Sequence, residues 1–188
     1  MTKKLEVFNR YVAMAGFRNV KIKDVNRFLE DVRMEVKEAH VQFFDAKLIA
    51  SQQHLHFAAL NALKAFEKKL NISSSLAVEV LLYASAQRQI KKAVDMLGIK
   101  PDSSQIAVLV MAENKQRADV ALETISELIL GERDDDVLEL TAEKFENIKT
   151  LFGVSDLEIE AKLRKEGLER EALVDLVIEH VALLTTQR

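Results

Sequence analysis

The chain has 188 residues, 48% of them hydrophobic and 30% charged, with one proline, five glycines and no cysteine. Its net charge of −3 hides a division: residues 1–100 carry 17 basic and 10 acidic side chains, the remainder 10 and 20. The length suits one domain with a core of its own, and the missing thiols exclude disulfides, thiolate zinc sites, iron–sulfur clusters and a cysteine nucleophile.

A strand is expected at Leu5–Phe8, and the first ten residues read as an N-terminal extension. Tyr11–Phe17 reads as a strand, followed by a helix over Asp24–Lys37. Val41–Phe44 is a second strand, with the short apolar stretch Lys47–Ile49 close behind it. Ser51 is placed to cap a helix whose Leu55, Ala59, Ala62 and Phe66 keep helical spacing. Ser73–Leu82 and Ala86–Leu97 follow as two helices meeting near Ser85. Gln105–Met111 is almost continuously apolar, as a strand covered on both faces should be. Asn114 caps a helix over Lys115–Leu130 with Ala118, Leu122, Ile125 and Ile129 on one face. Gly98–Ser104 and Gly131–Asp136 are loops, each with its glycine where a helix end wants positive φ. Val137–Leu140 is a short edge strand after the acidic turn. Phe145, Ile148 and Phe152 mark a helix after Thr141. Ser155 and Glu158 have capping-box spacing, opening a helix toward Leu163. The last helix, Leu168–Leu184, carries Leu173, Val177, Val181 and Leu184 on one stripe. Few strands among many consecutive helices predict an α+β fold, a small mixed or antiparallel sheet with a helical C-terminal part.

Familiar catalytic machinery is missing. No GxxxxGK[ST], GxGxxG or Gly-x-Ser-x-Gly occurs. His54 and His56 would project about 200° apart around a helix and cannot share a metal. Asp134–Asp136 lacks the spaced ligands and glycine of a calcium loop, so it reads as a solvated turn. A carboxylate site around Glu79 and Tyr83 would rest on lone residues. No enzyme activity, metal or cofactor is expected. The start MTKKLEVFNRYV has no signal-peptide core, and no apolar run reaches the roughly 18 residues of a membrane span, so a cytoplasmic protein is expected. The basic first half suits phosphate and the acidic second half a basic protein; the alternative is that both are solvated helix faces.

The stretch VQFFDAKLIASQQHLHFAALNALKAFEKK (41–69), then SLAVEVLLYASAQRQIKKAVDMLGI (75–99), resembles the small kinase-binding subunit family of the KEOPS complex. The shared positions run from Ile49, Ala50, Ser51, His54 and Asn61 to Glu79, Tyr83 and the cluster Ser85, Gln87, Arg88, Gln89 and Ile90. GFRNVKI (16–22), the Val137–Leu140 segment and VIEHVALL (177–184) extend the likeness. Two positions depart from the family pattern. Ala86 replaces a common glycine, which is strained if that residue takes positive φ and comfortable if it merely starts a helix. His180 replaces a common arginine, which makes a partner contact there sensitive to pH.

The resemblance implies a non-catalytic subunit. KEOPS installs threonylcarbamoyladenosine in tRNA, and the catalytic threonylcarbamoyl-transferase subunit sits on a small atypical protein kinase. This family caps the kinase N-lobe, and archaeal-type members also bind the tRNA 3′ CCA end. Candidate RNA contacts are Arg88, Lys91 and Lys92 with the amides Gln87 and Gln89, joined by Lys47 and His54 in the same cleft. Amides and guanidinium groups reach the base edges and phosphates of a single-stranded end. With Ser85 as N-cap, the helix after it adds an anion-favouring field. The competing reading is that Gln87, Arg88 and Gln89 tie two helices together through buried hydrogen bonds. Candidate kinase contacts lie on the last helix: Leu173, Val177, His180, Val181, Leu183 and Leu184. There Leu173, Val177 and Val181 fill the core while Leu183 and Leu184 reach the partner. The alternative function is a kinase-binding scaffold without RNA binding.

Overall fold

The structure, a computed structural model, describes every residue except Met1, Arg164, Glu166, Gln187 and Arg188. The described residues form a five-stranded antiparallel sheet and eight α-helices, the expected α+β class. They divide into two compact units. Residues 1–47 and 98–137 make the first, residues 48–97 and 138–188 the second.

The first unit holds the sheet. Its strands are β1 (Thr2–Leu5), β2 (Arg10–Arg18), β3 (His40–Asp45), β4 (Ile106–Ala112) and β5 (Glu132–Arg133). They lie in the order β1-β2-β4-β3, with β5 pairing the end of β2. Every residue of β4 is buried, which is what its unbroken apolar run requires. On one sheet face Ala13, Ala15, Phe17, Phe43, Val108 and Val110 pack with α1 (Val25–Glu35) and α5 (Lys115–Leu128). The α5 residues Ala118, Leu122 and Ile125, with Ile129 just beyond, are buried as their spacing predicts.

Three strand expectations shift, each because a carboxylate or turn takes the backbone first. The Asp45 Oδ1 atom accepts the Lys47 N–H at 3.1 Å, so β3 stops and Ala46–Leu48 curls into a 3₁₀ turn instead of extending. Val137–Leu140 is no edge strand. Asp135 accepts the Gly16 N–H at 3.0 Å, Asp134 accepts the Asp136 N–H at 3.1 Å, and Asp135–Leu138 forms a 3₁₀ turn, so that within this segment Glu132–Arg133 alone pairs β2. At the start, Thr2–Leu5 is the strand and Glu6–Phe8 the 3₁₀ turn. The glycine expectation also changes. Neither Gly98 nor Gly131 has positive φ. Gly131 is needed because a Cβ there would sit 2.9 Å from the Arg18 carbonyl oxygen, and at Gly16 a Cβ would sit 2.4 Å from that of Asp134.

The second unit is helical: α2 (Gln52–Glu67), α3 (Leu76–Ala84), α4 (Ile90–Leu97), α6 (Ala142–Phe152), α7 (Asp156–Lys162) and α8 (Glu169–Leu183). Helix α2 packs along α3 and α8, and α8 also meets α6 and α7. A core shared by α6, α7 and α8 includes Ile148, Phe152, Ile159, Leu173, Leu176 and Val177, joined by Ala50 just before α2. Side-chain caps from Ser51, Ser75 and Thr141, and the reciprocal Ser155–Glu158 box, open α2, α3, α6 and α7. Helix α3 starts three residues later than expected. The buried Glu79 carboxylate reaches back to accept the Ile72 and Ser73 N–H groups, the latter at 2.7 Å, and folds that stretch as a loop. Among the described residues no helix is long and apolar enough to cross a membrane.

Candidate nucleic-acid and partner site

The way helix α3 ends at Ser85 sets the path of the chain beyond it. The Ala86 N–H donates to the Tyr83 carbonyl and the Gln87 N–H to the Leu82 carbonyl, each at 3.0 Å. These two bonds make a Schellman motif, which needs its C′ residue in the left-handed region. Ala86 occupies that position at φ 50°. Of the two readings of Ala86, the strained one holds. Ser85 is therefore a C-cap and not an N-cap: its buried hydroxyl donates to the Leu81 and Leu82 carbonyls. Helix α4 begins at Ile90, and residues 87–89 form an irregular turn.

That turn is fastened by His54. Its Nδ1 accepts the Ala50 N–H at 3.3 Å, so Nε2 carries the proton and donates to the Ala84 carbonyl at 2.7 Å. The ring is fully buried, and burial pushes its pKa down to about 4 from 6.5. It also meets the Phe152 ring edge-on at 5.6 Å. His54 is thus a tie within the second unit and not an RNA contact, because both ring nitrogens are used and no surface remains. Glu79 and Tyr83 are likewise buried, Glu79 within its own backbone clamp.

Beyond the tie lies a groove of about 400 Å³ lined by Ala86, Gln87, Arg88, Gln89, Lys92, Met96, Leu151, Phe152 and His180. Four of the expected RNA residues, Gln87, Arg88, Gln89 and Lys92, come together here. The side chains of Gln87, Arg88 and Gln89 make no hydrogen bond to any described residue, so the helix-tying role assigned to them as an alternative belongs to His54, Ser85 and Glu79. Neither Arg88 nor Lys92 is ion-paired with a described residue, and the lining holds no carboxylate. The groove therefore carries an uncompensated positive charge. Lys91 stands outside it, its ammonium on Asp95 at 2.7 Å. Lys47 is exposed in the other unit and does not line the groove.

The expected kinase residues separate. Leu173, Val177, Val181 and Leu184 are buried, so Leu184 joins the core stripe instead of reaching a partner. Helical spacing puts position 184 on the same face as 173, 177 and 181, while Leu183 turns outward and stays 52% exposed. His180 is the surprise: it lines the groove, with its ring 6.3 Å from Phe152. Met96, Leu151 and Phe152 were legible in the sequence only as helix-face apolar residues, with nothing to associate them with Arg88.

The family profile described as Kinase binding protein CGI-121 matches residues 17–185. Over 135 residues the chain is 30% identical to the "Regulatory protein Cgi121" of Methanocaldococcus jannaschii, spanning 72% of this chain and 83% of that protein. The likeness read from the Ser85–Ile90 cluster and its surroundings therefore holds across most of the chain.

Two consequences are measurable in stability. Replacing Ala86→Gly relieves the left-handed strain and raises stability by about 1 kcal/mol, net of glycine's extra chain entropy, read as a higher denaturant midpoint at unchanged slope. A lower midpoint would contradict the strain. For His54, the unfolded imidazole binds a proton near pH 6.5 and the folded one not until about 4, so acid favours unfolding across that window. Stability falls by about 3 kcal/mol between those limits. The less stable His54→Gln protein should lose most of that slope in denaturant titrations run from pH 7 to 4.

Proposed function

We propose, from the premise that the chain belongs to the CGI-121 family of kinase-binding proteins, that it is a non-catalytic KEOPS subunit. In this reading it binds the small atypical kinase and receives the tRNA 3′ CCA end in the groove beside Arg88, supporting threonylcarbamoyladenosine formation by the transferase subunit. The observation that carries the RNA part is the groove itself. Among the described residues, two unpaired cations and two free amides share a lining that contains no carboxylate. Arg88 and Lys92 take the phosphodiesters. Gln87 and Gln89, each able to donate and accept, meet the edges of splayed bases. The apolar floor of Met96, Leu151 and Phe152 gives base faces a surface that needs no water.

The kinase part rests on the family and on exposed apolar side chains of the second unit. Leu183 on α8 is 52% exposed, and Ile90 and Val94, one turn apart on α4, are each nearly half exposed. Leu183 is the contact assigned to the kinase. Its burial in a partner would contribute as interface leucines do, while the buried residues behind it set the orientation of α8.

Purified protein is titrated into labelled tRNA, intact or lacking CCA, at two salt concentrations. Intact tRNA should bind at least about tenfold tighter, and Arg88→Glu should remove that advantage and lower the salt slope by about one. Equal weak binding to both tRNAs that collapses with salt leaves only the kinase-binding scaffold. In the same preparations Leu183→Asp should abolish co-purification of the kinase; undiminished co-purification would move the docking face off α8.

A further inference from the structure

The α8 wall of the groove holds His180, which the sequence places among the kinase contacts and the structure places beside Arg88 and Lys92. His180 lies in the last turn of α8, where the helix dipole favours a cation, and its ring stands edge-on to Phe152 at 6.3 Å. Phe152 is itself set against the buried His54 ring. The imidazole is thus placed by packing against a fixed neighbour.

The charges around it come from every neighbouring element. The α3–α4 turn supplies Arg88 and α4 supplies Lys92, both lining the same groove. From α7, Glu158 lies within electrostatic reach of His180, its carboxylate held by the Ser155 N–H and hydroxyl at 2.7 Å each. Glu179, next along α8, is occupied by Lys162 of α7. The α6 residues that reach the groove, Leu151 and Phe152, are uncharged, and Lys149 of that helix is paired with Asp156 and Glu146. The lining therefore contains two permanent cations and one side chain of the type that ordinarily changes charge between pH 5 and 8.

We propose that His180 is a third phosphate contact of this groove, one that strengthens when protonated, so that the chain holds a single-stranded RNA end more tightly in mildly acidic solution than at pH 8. The inference rests on the RNA reading above and adds a residue and a pH dependence to it. A phosphodiester in the groove places a second anion beside the imidazole, in addition to Glu158. Binding then favours the cation and takes up a proton, and by linkage affinity rises as pH falls.

The probe is a labelled acceptor minihelix ending in CCA, titrated with the full chain at constant ionic strength from pH 8.5 to 5.5. Wild type, His180→Gln and His180→Arg are compared, each checked by circular dichroism at every pH because His54 makes the fold acid-sensitive. Wild-type affinity should rise about tenfold over the range, the size of one added charge-assisted contact. His180→Gln should stay flat at the weak level and His180→Arg flat at the tight level, a rescue that a purely packing role would not produce. A His180→Gln protein with the wild-type profile overturns this inference and leaves the RNA reading intact. Failure of wild type to bind the minihelix at any pH overturns the two together.

Discussion

A left-handed alanine governs the groove beside α3. After α3 the chain turns back through the Ala86 and Gln87 N–H groups onto the Tyr83 and Leu82 carbonyls, a geometry that glycine enters freely and alanine only under strain. The surrounding structure over-determines it. His54 binds the Ala84 carbonyl, Ser85 caps the two carbonyls of Leu81 and Leu82, and Ala84 and Ser85 are fully buried. Strain of this kind persists only where its neighbours leave no alternative. Because residues 86–89 are held in this turn, their side chains are released from helix packing, and Gln87, Arg88 and Gln89 line a groove instead of a core.

The same economy runs through the buried polar groups of the second unit. His54 and Glu79 satisfy backbone atoms that a loop or helix end leaves without partners, and the buried Ser85 hydroxyl finds its own partners in the Leu81 and Leu82 carbonyls, which is how a polar side chain lowers the cost of its own burial. His54 stays neutral there because burial penalises the charged ring, and its two bonds use the one donor and one acceptor that a neutral imidazole offers. The chemistry-bearing side chains thus divide by burial. Those inside hold the frame, and those at the groove stay open to solvent.

Charge follows the same division. Part of the basic excess of the first hundred residues is held in ion pairs. Lys91 is spent on Asp95, Arg18 on Glu132 and Asp134, and Arg10 on Glu113, exposed pairs of small energetic worth that nonetheless cancel local field. What remains uncompensated at the groove is Arg88 and Lys92. The acidic turn at Asp134–Asp136 is engaged with its own unit, binding the Gly16 and Asp136 N–H groups, so it shapes the end of β2.

Local pattern alone determined a great deal here. The continuous run of β4, the helical stripes of α5 and α8, the caps at Ser51, Asn114, Thr141 and Ser155, and the family likeness at Ser85–Ile90 are all readable from neighbours within a few residues, because propensity, capping and periodicity act over that range. Tertiary structure decided the rest. Whether Ala86 began a helix or ended one depended on carbonyls already committed to α3. Whether His54 met solvent depended on Ala84, thirty residues away. Whether His180 belonged to a docking face or to the groove depended on where α6 ends against α8. Such outcomes turn on contacts between segments distant in the chain, and periodicity records which face of an element is apolar without recording what that face meets.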